Sequence, residues 1–340
     1  MSLDKTNSSS EILPQYVFLT GRGRSGTTWL GQILNTYQNC IYKYEPFLPS
    51  KSSPFQTWKN QLGSDDRSIE ELRSLFWSLC RNCYFGIDNP PFLNKSFYKQ
   101  PRYLLYLFYG LAKRFGKLEH LYEWYGRPQL NKDTAILVKD VNFPIDLLPY
   151  LCEILQPYLI SMVRNPFANI ASFLKGIELG LFEHNYLESI DRLKKILDTP
   201  RGKHLAHYSP QLEKMSIAQF EAIRWRFQVE SLVEYTNNYH KSMVVVYEDM
   251  CTDPLSKTKE IFDFLGWEFT QTTEDFINAS ISSTASSSSS SKSYYSVYRN
   301  PGKSISKWRE QLTEAQKLDI ESIIDESPLV NLWSEDYLKI

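Results

Sequence analysis

Between Arg22 and Thr28 the chain reads RGRSGTT, two arginines and three hydroxyl residues around two glycines. Those residue types at that spacing suit an anion. Arg22 and Arg24 bring charge, Thr27 and Thr28 bring hydroxyl donors, and Gly23, Ser25 and Gly26 let the main chain turn its N–H groups toward one point. Gly21 and Gly26 keep the spacing of the nucleotide-binding GxxxxGK[ST] loop, but Thr27 stands where that loop has its lysine. The group that reaches the β and γ phosphates of ATP is missing, so ATP with magnesium fits poorly and a phosphate or sulfate ester fits better. A glycine turn with no ligand is the alternative, and it gives no reason for two arginines inside the turn.

Three other places carry candidate chemistry, each just after an apolar, β-favouring run. Glu45 and Pro46 follow Ile41–Tyr44, Lys139 and Asp140 follow Thr134–Val138, and Arg164-Asn165-Pro166 follows Tyr158–Val163. In an open α/β sheet, ligands gather at the carboxyl ends of the strands. An arginine beside a helix start is a phosphate site by its own chemistry, a bidentate donor next to a positive helix end. A lone turn glutamate is ordinarily a solvated one.

The elements that must hold these residues alternate. Val17–Thr20, Ile41–Tyr44, Thr134–Val138, Tyr158–Val163 and Met243–Tyr247 read as short strands. Helices follow most of them, from Gly26 with Trp29, Leu30, Ile33 and Leu34 on one face, from near Pro144, from Phe167 to Lys175, and from about Asp253 to the Gly266 stop. Ser216–Tyr239 and Thr313–Asp325 read as further helices, the second opening with a capping box in Thr313 and Gln316. This order predicts an α/β fold, P-loop-type, three layers α/β/α around a short and mostly parallel sheet.

Size and composition agree with one elaborated domain over 1–340: the chain has 340 residues, 42% hydrophobic and 14% aromatic. Residues 1–14 and the serine-rich run 281–293 read as flexible, and 49–131 as a mostly helical, aromatic-rich insertion that shapes an acceptor site or adds core. A net charge of -1 argues against a general nucleic-acid or membrane-surface binder, so any anion site must come from a few converging basic residues. Without a run of about 18 apolar residues or a signal peptide at the start, the expectation is a chain with no membrane span, in the cytoplasm. Five scattered cysteines, Cys40, Cys80, Cys83, Cys152 and Cys251, predict reduced thiols. Neither the Cys80–Cys83 pair nor His204 with His207 completes a metal site, so no metal is expected.

The motifs resemble those of the sulfotransferases that use 3'-phosphoadenosine 5'-phosphosulfate (PAPS). Arg24-Ser25-Gly26-Thr27-Thr28-Trp29 matches that family's 5'-phosphosulfate loop position by position. The resemblance implies Arg24 on the phosphosulfate bridge, Thr27 and Thr28 on the 5'-phosphate, and Trp29 against adenine, while helical spacing alone reads Trp29 as core. Arg164 with Ser172 reproduces the family's 3'-phosphate motif, and Arg299, Gly302 and Lys303 before Trp308 approximate its closing Arg-Lys-Gly loop.

Tyr44-Glu45-Pro46 is similar to the segment of the carbohydrate and tyrosylprotein branches whose glutamate is the base. Lys139 matches the lysine of the cytosolic branch's Lys-Thr-His segment, but Asp140, Val141 and Asn142 replace the histidine's neighbourhood. Base chemistry then falls to Glu45 or Asp140, with Lys139 on the transferring sulfonate.

The function this implies is transfer of a sulfuryl group from PAPS to a hydroxyl, leaving adenosine 3',5'-bisphosphate. The acceptor is a sugar by preference, otherwise a lipid or small-molecule alcohol or a tyrosine, and oligomeric state stays open. A nucleotide-dependent kinase, or a non-catalytic protein that retains the nucleotide site, are the competing classes.

Overall fold

A computed structural model describes residues 14–48, 66–98, 101–181, 186–282 and 301–333. Five strands form one sheet: β1 Gln15–Gly21, β2 Cys40–Tyr44, β3 Ala135–Lys139, β4 Tyr158–Val163 and β5 Ser242–Val246. Their order is β2-β3-β1-β4-β5 and every pairing is parallel. The sheet is thus a three-layer α/β sheet of P-loop type, as the alternating pattern predicts, and wholly parallel among the described residues.

β1 shows why its sequence is apolar throughout. Val17 and Leu19 pack on one face with Leu30, Ile33 and Leu34, whereas Tyr16 and Phe18 pack on the other with Phe76, Phe143 and Leu148. A parallel strand covered on both faces needs apolar residues at both parities of its period-two alternation.

The helices are α1 Thr27–Leu34, α2 Asp66–Arg81, α3 Arg102–Arg114, α4 Glu119–Tyr125, α5 Leu148–Leu155, α6 Pro166–Glu178 and α7 Tyr186–Leu197. After them come α8 Ile217–Asn238, α9 Tyr247–Thr252, α10 Pro254–Leu265, α11 Gln271–Ser282, α12 Pro301–Ser306, α13 Trp308–Gln311 and α14 Glu314–Ile324. α8 is the longest, starts at a capping box between Ser216 and Gln219, and buries Phe220, Ile223, Trp225 and Phe227 in the largest core cluster. The Thr313–Gln316 capping box of α14 is also present.

Two expectations need correcting. The stretch after β5 does not wait until Asp253 to become helical; α9 begins at Tyr247. Gly302 and Lys303 stand in the first turn of a helix rather than in a loop, because Pro301 at the first helical position is pre-set for it. Residues 1–13, Arg299 and most of the serine-rich run lie outside the described residues, whereas Ile281 and Ser282 end α11. Among its described residues the insertion holds α2, α3 and α4 with an irregular stretch at 82–98, and it has its own small core of Cys83, Phe92, Leu105, Ala112 and Tyr122.

Candidate functional site

All the candidate residues of the strand ends meet one edge of the sheet. β1 lies at its centre, with β3 and β2 on one side and β4 and β5 on the other. The chain changes direction there, and this switch point is where open α/β sheets bind ligands. Four strands about 4.8 Å apart set the end of β2 and the end of β4 roughly 14 Å from each other across that edge.

The loop after β1 has a backbone that only particular residues accept. Arg24 and Gly26 have φ of 74° and 92°. Gly26 caps α1 without any side-chain hydrogen bond, leaving the first N–H groups of the helix uncapped by a side chain. Gly21 is required by contact, since a Cβ there would lie 2.4 Å from the Met162 carbonyl oxygen on β4.

The two arginines of the loop divide. Arg22 is buried, and its guanidinium donates to Asn169 on α6 and to Glu221 and Gln228 on α8, the last at 3.1 Å. Burial pulls its pKa down to about 10, with Glu221 opposing the fall. All three of its nitrogens serve the scaffold, so Arg22 fastens the loop rather than facing a ligand. Asn169 also donates to the Gly23 carbonyl at 3.1 Å and to Ser25 Oγ at 3.2 Å.

Arg24 points the other way, donating from Nε to Ser172 Oγ at 3.1 Å. Arg164, at the end of β4, donates from Nη1 to the Arg24 carbonyl at 3.0 Å and from Nη2 to the Ser304 carbonyl on α12 at 3.1 Å. The Arg24 loop, Arg164, Ser172 and the C-terminal helix that carries Gly302 and Lys303 therefore meet. Nε of Arg164 is buried with no hydrogen-bond partner among the described residues, an orphaned donor in a place suited to a phosphate oxygen. The guanidinium also lies 4.6 Å from the Tyr247 ring centroid.

Thr27 is buried and Thr28 partly exposed at the helix start. Trp29 is buried, donates from Nε1 to Ser280 Oγ at 3.0 Å and meets Tyr247 edge-on at 6.3 Å.

Across β1, Glu45 adopts φ 47° and donates its N–H to the Lys139 carbonyl at 2.8 Å, while Lys139 Nζ donates to the Glu45 carboxylate. Tyr44 and Lys139 are register partners on β2 and β3, which is what brings the pair together. Lys139 Nζ lies 4.8 Å from the Tyr44 ring centroid. Asp140 is fully buried. Its oxygens accept from the Phe47 and Asn142 N–H groups, both at 2.7 Å. Burial pushes its pKa up to about 6. Asp140 thus clamps the turn that presents Glu45, and its two oxygens are occupied in doing so.

Sequence reasoning passed over several residues. Asn169 sits one turn after Asn165 between apolar residues of α6, and Glu221 interrupts the apolar stripe of α8 with 0% exposure. A charged residue at a core position of a helical pattern is the signal that would have found Glu221. Tyr247 reads only as the end of a strand run, and Glu248 follows it. Glu248 accepts from the Asn165 N–H at 3.2 Å and from Trp333 Nε1 at 2.8 Å, which fixes the turn that carries Arg164. Among the described residues no group of three or more His, Cys, Asp or Glu comes together, and all five cysteines are buried and free. No described helix is long and apolar enough to cross a membrane.

A family model described as "Sulfotransferase domain" matches residues 14–328. A stretch of 73 residues is 34% identical to mouse (Mus musculus) carbohydrate sulfotransferase 1, covering 22% of this chain and only 17% of that relative. Among solved structures, the sulfotransferase domain of the Synechococcus PCC 7002 olefin synthase is similar at TM-score 0.44 and 16% identity, over 92% of this chain and 94% of that one. Mouse sulfotransferase SULT7A1 complexed with PAP has the same TM-score, 0.44, and the same identity, 16%, over 95% and 89% of the two chains. The family assignment rests on the match over residues 14–328.

Proposed function

The chain belongs to the sulfotransferase domain family, and we propose that it transfers a sulfuryl group from PAPS to the hydroxyl of an acceptor, a sugar by preference. The observation that carries this reading is the junction of Arg24, Ser172 and Arg164 at the switch point, where Arg164 keeps a buried, unpaired Nε. PAPS would supply the activated sulfuryl group. Arg164 and Ser172 suit its 3'-phosphate, and Arg24 with the N–H groups of the loop and of α1 suits the phosphosulfate. Arg22 holds the loop in shape from behind.

Glu45 is the base in this reading. It stands on the acceptor side of β1, next to Lys139, and would accept the proton of the attacking hydroxyl while Lys139 steadies negative charge on the transferring group. Asp140 takes no proton in this scheme, because its oxygens accept main-chain N–H groups. The same commitment leaves Asp140 ill placed to hold the magnesium a kinase would need. Tyr44-Glu45-Pro46 and the local identity to a carbohydrate sulfotransferase support the sugar acceptor.

The test is incubation with sulfur-labelled PAPS and a panel of glycan, lipid and phenolic alcohols. Transfer to a member of the panel is expected. Glu45→Gln should lower kcat by about 10²- to 10⁴-fold, the usual contribution of a positioned base, and leave bisphosphate affinity nearly unchanged. Unaltered turnover in Glu45→Gln would remove the glutamate from the mechanism.

A further inference from the structure

Of the eleven large hydrophobic side chains exposed among the described residues, six lie between residues 103 and 124: Tyr103, Tyr106, Leu107, Phe115, Leu121 and Trp124. The same stretch concentrates charge of one sign. Residues 101–118 contain Arg102, Lys113, Arg114 and Lys117 and no Asp or Glu, and all four basic residues are exposed, in a chain whose net charge is -1.

α3 is laid out in two faces. Leu105 and Ala112, seven residues apart, are each 1% exposed and pack inward. Tyr103, Leu107, Gly110 and Arg114, at i, i+4, i+7 and i+11, share the opposite face. Tyr103 is 71% exposed there and Leu107 52%, and on α4 Trp124 is 67% exposed. α4 folds back on α3 through Phe108 against Tyr125 at 4.8 Å and Tyr109 against Tyr122 at 5.6 Å. The exposed rings of Tyr103 and Trp124 are therefore held on a packed helix pair, while Tyr106 is tied down by the Phe92 N–H at 2.9 Å.

We propose that this pair docks on an anionic lipid surface. Outward Tyr, Trp and Leu side chains beside a basic cluster are the composition of helices that lie in a membrane interface, with rings at headgroup level and Lys or Arg on the phosphates. Four exposed cations on 101–118 against Glu119 and Glu123 of α4, both only partly exposed, leave the pair net positive and give the charge complementarity. The helix pair belongs to an insertion fastened to the acceptor side of the site. Lys43 on β2 donates to Asp88 at 2.6 Å and to the Asn82 carbonyl at 2.7 Å, and the Tyr44 N–H donates to the Ile87 carbonyl at 3.1 Å. Docking would bring the bilayer to the unit that abuts the strand ending at Glu45. It stands independently of the sulfuryl-transfer reading.

The experiment is flotation of the full chain with vesicles of phosphatidylcholine alone and of phosphatidylcholine mixed with phosphatidylglycerol, at low and high salt. Binding to the mixed vesicles, weakened by salt, is expected. Lys113→Gln with Arg114→Gln should weaken it about thirtyfold, two cations' worth of attraction to an anionic surface. Tyr103→Ser with Leu107→Ser and Trp124→Ser should abolish it, while both variants keep the thermal melt of the parent chain. No flotation with anionic vesicles, or a triple-serine variant that floats like the parent, overturns the proposal. So does self-association in sedimentation that the triple variant loses without any vesicle binding, which would make the face an interface between copies.

Discussion

Gly26→Ala is expected to disable the nucleotide loop without removing any ligand-binding side chain. Gly26 has φ 92°, a conformation that costs an L side chain about 1–2 kcal/mol. The added Cβ would lie 2.4 Å from Cδ2 and 2.6 Å from Cε2 of Tyr247. That ring cannot step aside freely. Trp29 meets it edge-on, and the Arg164 guanidinium lies 4.6 Å from its centroid. Overpacking of this kind costs about 1–3 kcal/mol, so the sum is about 2–5 kcal/mol. With about 2.1 cal/mol/K of unfolding entropy per residue, a chain of 340 residues would melt about 3–7 °C lower. The displaced ring also disturbs Arg164, and loss of one charge-assisted phosphate contact of about 1.5–3 kcal/mol would weaken adenosine 3',5'-bisphosphate by roughly 10- to 150-fold. The control is in the same loop: a Cβ on Gly23 meets nothing within 4 Å, so Gly23→Ala should change stability by less than about 0.5 kcal/mol. Scanning calorimetry of both variants, followed by titration with the bisphosphate, reads both effects. Equal melting of the two variants, or a Gly26→Ala protein that binds like the parent, would refute the reasoning.

The buried charges give further outcomes. Arg22→Ala leaves the buried Glu221 with Arg224, at 2.7 Å, as its remaining cation and should cost about 1–3 kcal/mol in denaturant unfolding, more than Arg24→Ala, whose side chain is partly exposed. Asp140 has a folded pKa of about 6 against an ordinary value of 3.8, so between those pH values the folded chain holds a proton that the unfolded chain has lost. The Asp140 contribution to stability therefore falls as pH rises from about 4 to about 6. Relative to Asp140→Asn, the parent should lose up to about 3 kcal/mol across that window; melts of the two proteins keeping a constant difference from pH 4 to 6.5 would contradict this.

The sheet was legible because its strands are short apolar runs punctuated by Gly, Pro or charge, β1 to β4 buried almost throughout and the edge strand β5 partly so. The ends of those runs placed Arg24, Glu45, Lys139 and Arg164 on one edge without any knowledge of side-chain contacts. What the sequence could not reveal is the direction of each side chain. Arg22 and Arg24 are two residues apart and look equivalent, yet one is turned into Asn169, Glu221 and Gln228, which are 147 to 206 residues distant, and the other toward Ser172. Asp140 read as a candidate base because only its type and place were visible; its role as a clamp depends on Phe47 and Asn142 folding back onto it. Nor could the sequence show that the Trp29 indole donates to Ser280, 251 residues on.

The most direct test of the central claim is calorimetric titration with adenosine 3',5'-bisphosphate, set against ADP and against ATP with magnesium, in the parent chain and in Arg164→Ala. Tight binding of the bisphosphate over both alternatives, weakened at least tenfold by the substitution in line with about 1.5–3 kcal/mol for a charge-assisted contact, is the predicted result. Preference for ATP with magnesium, or bisphosphate binding indifferent to Arg164, would contradict the assignment of this edge of the sheet to a PAPS site.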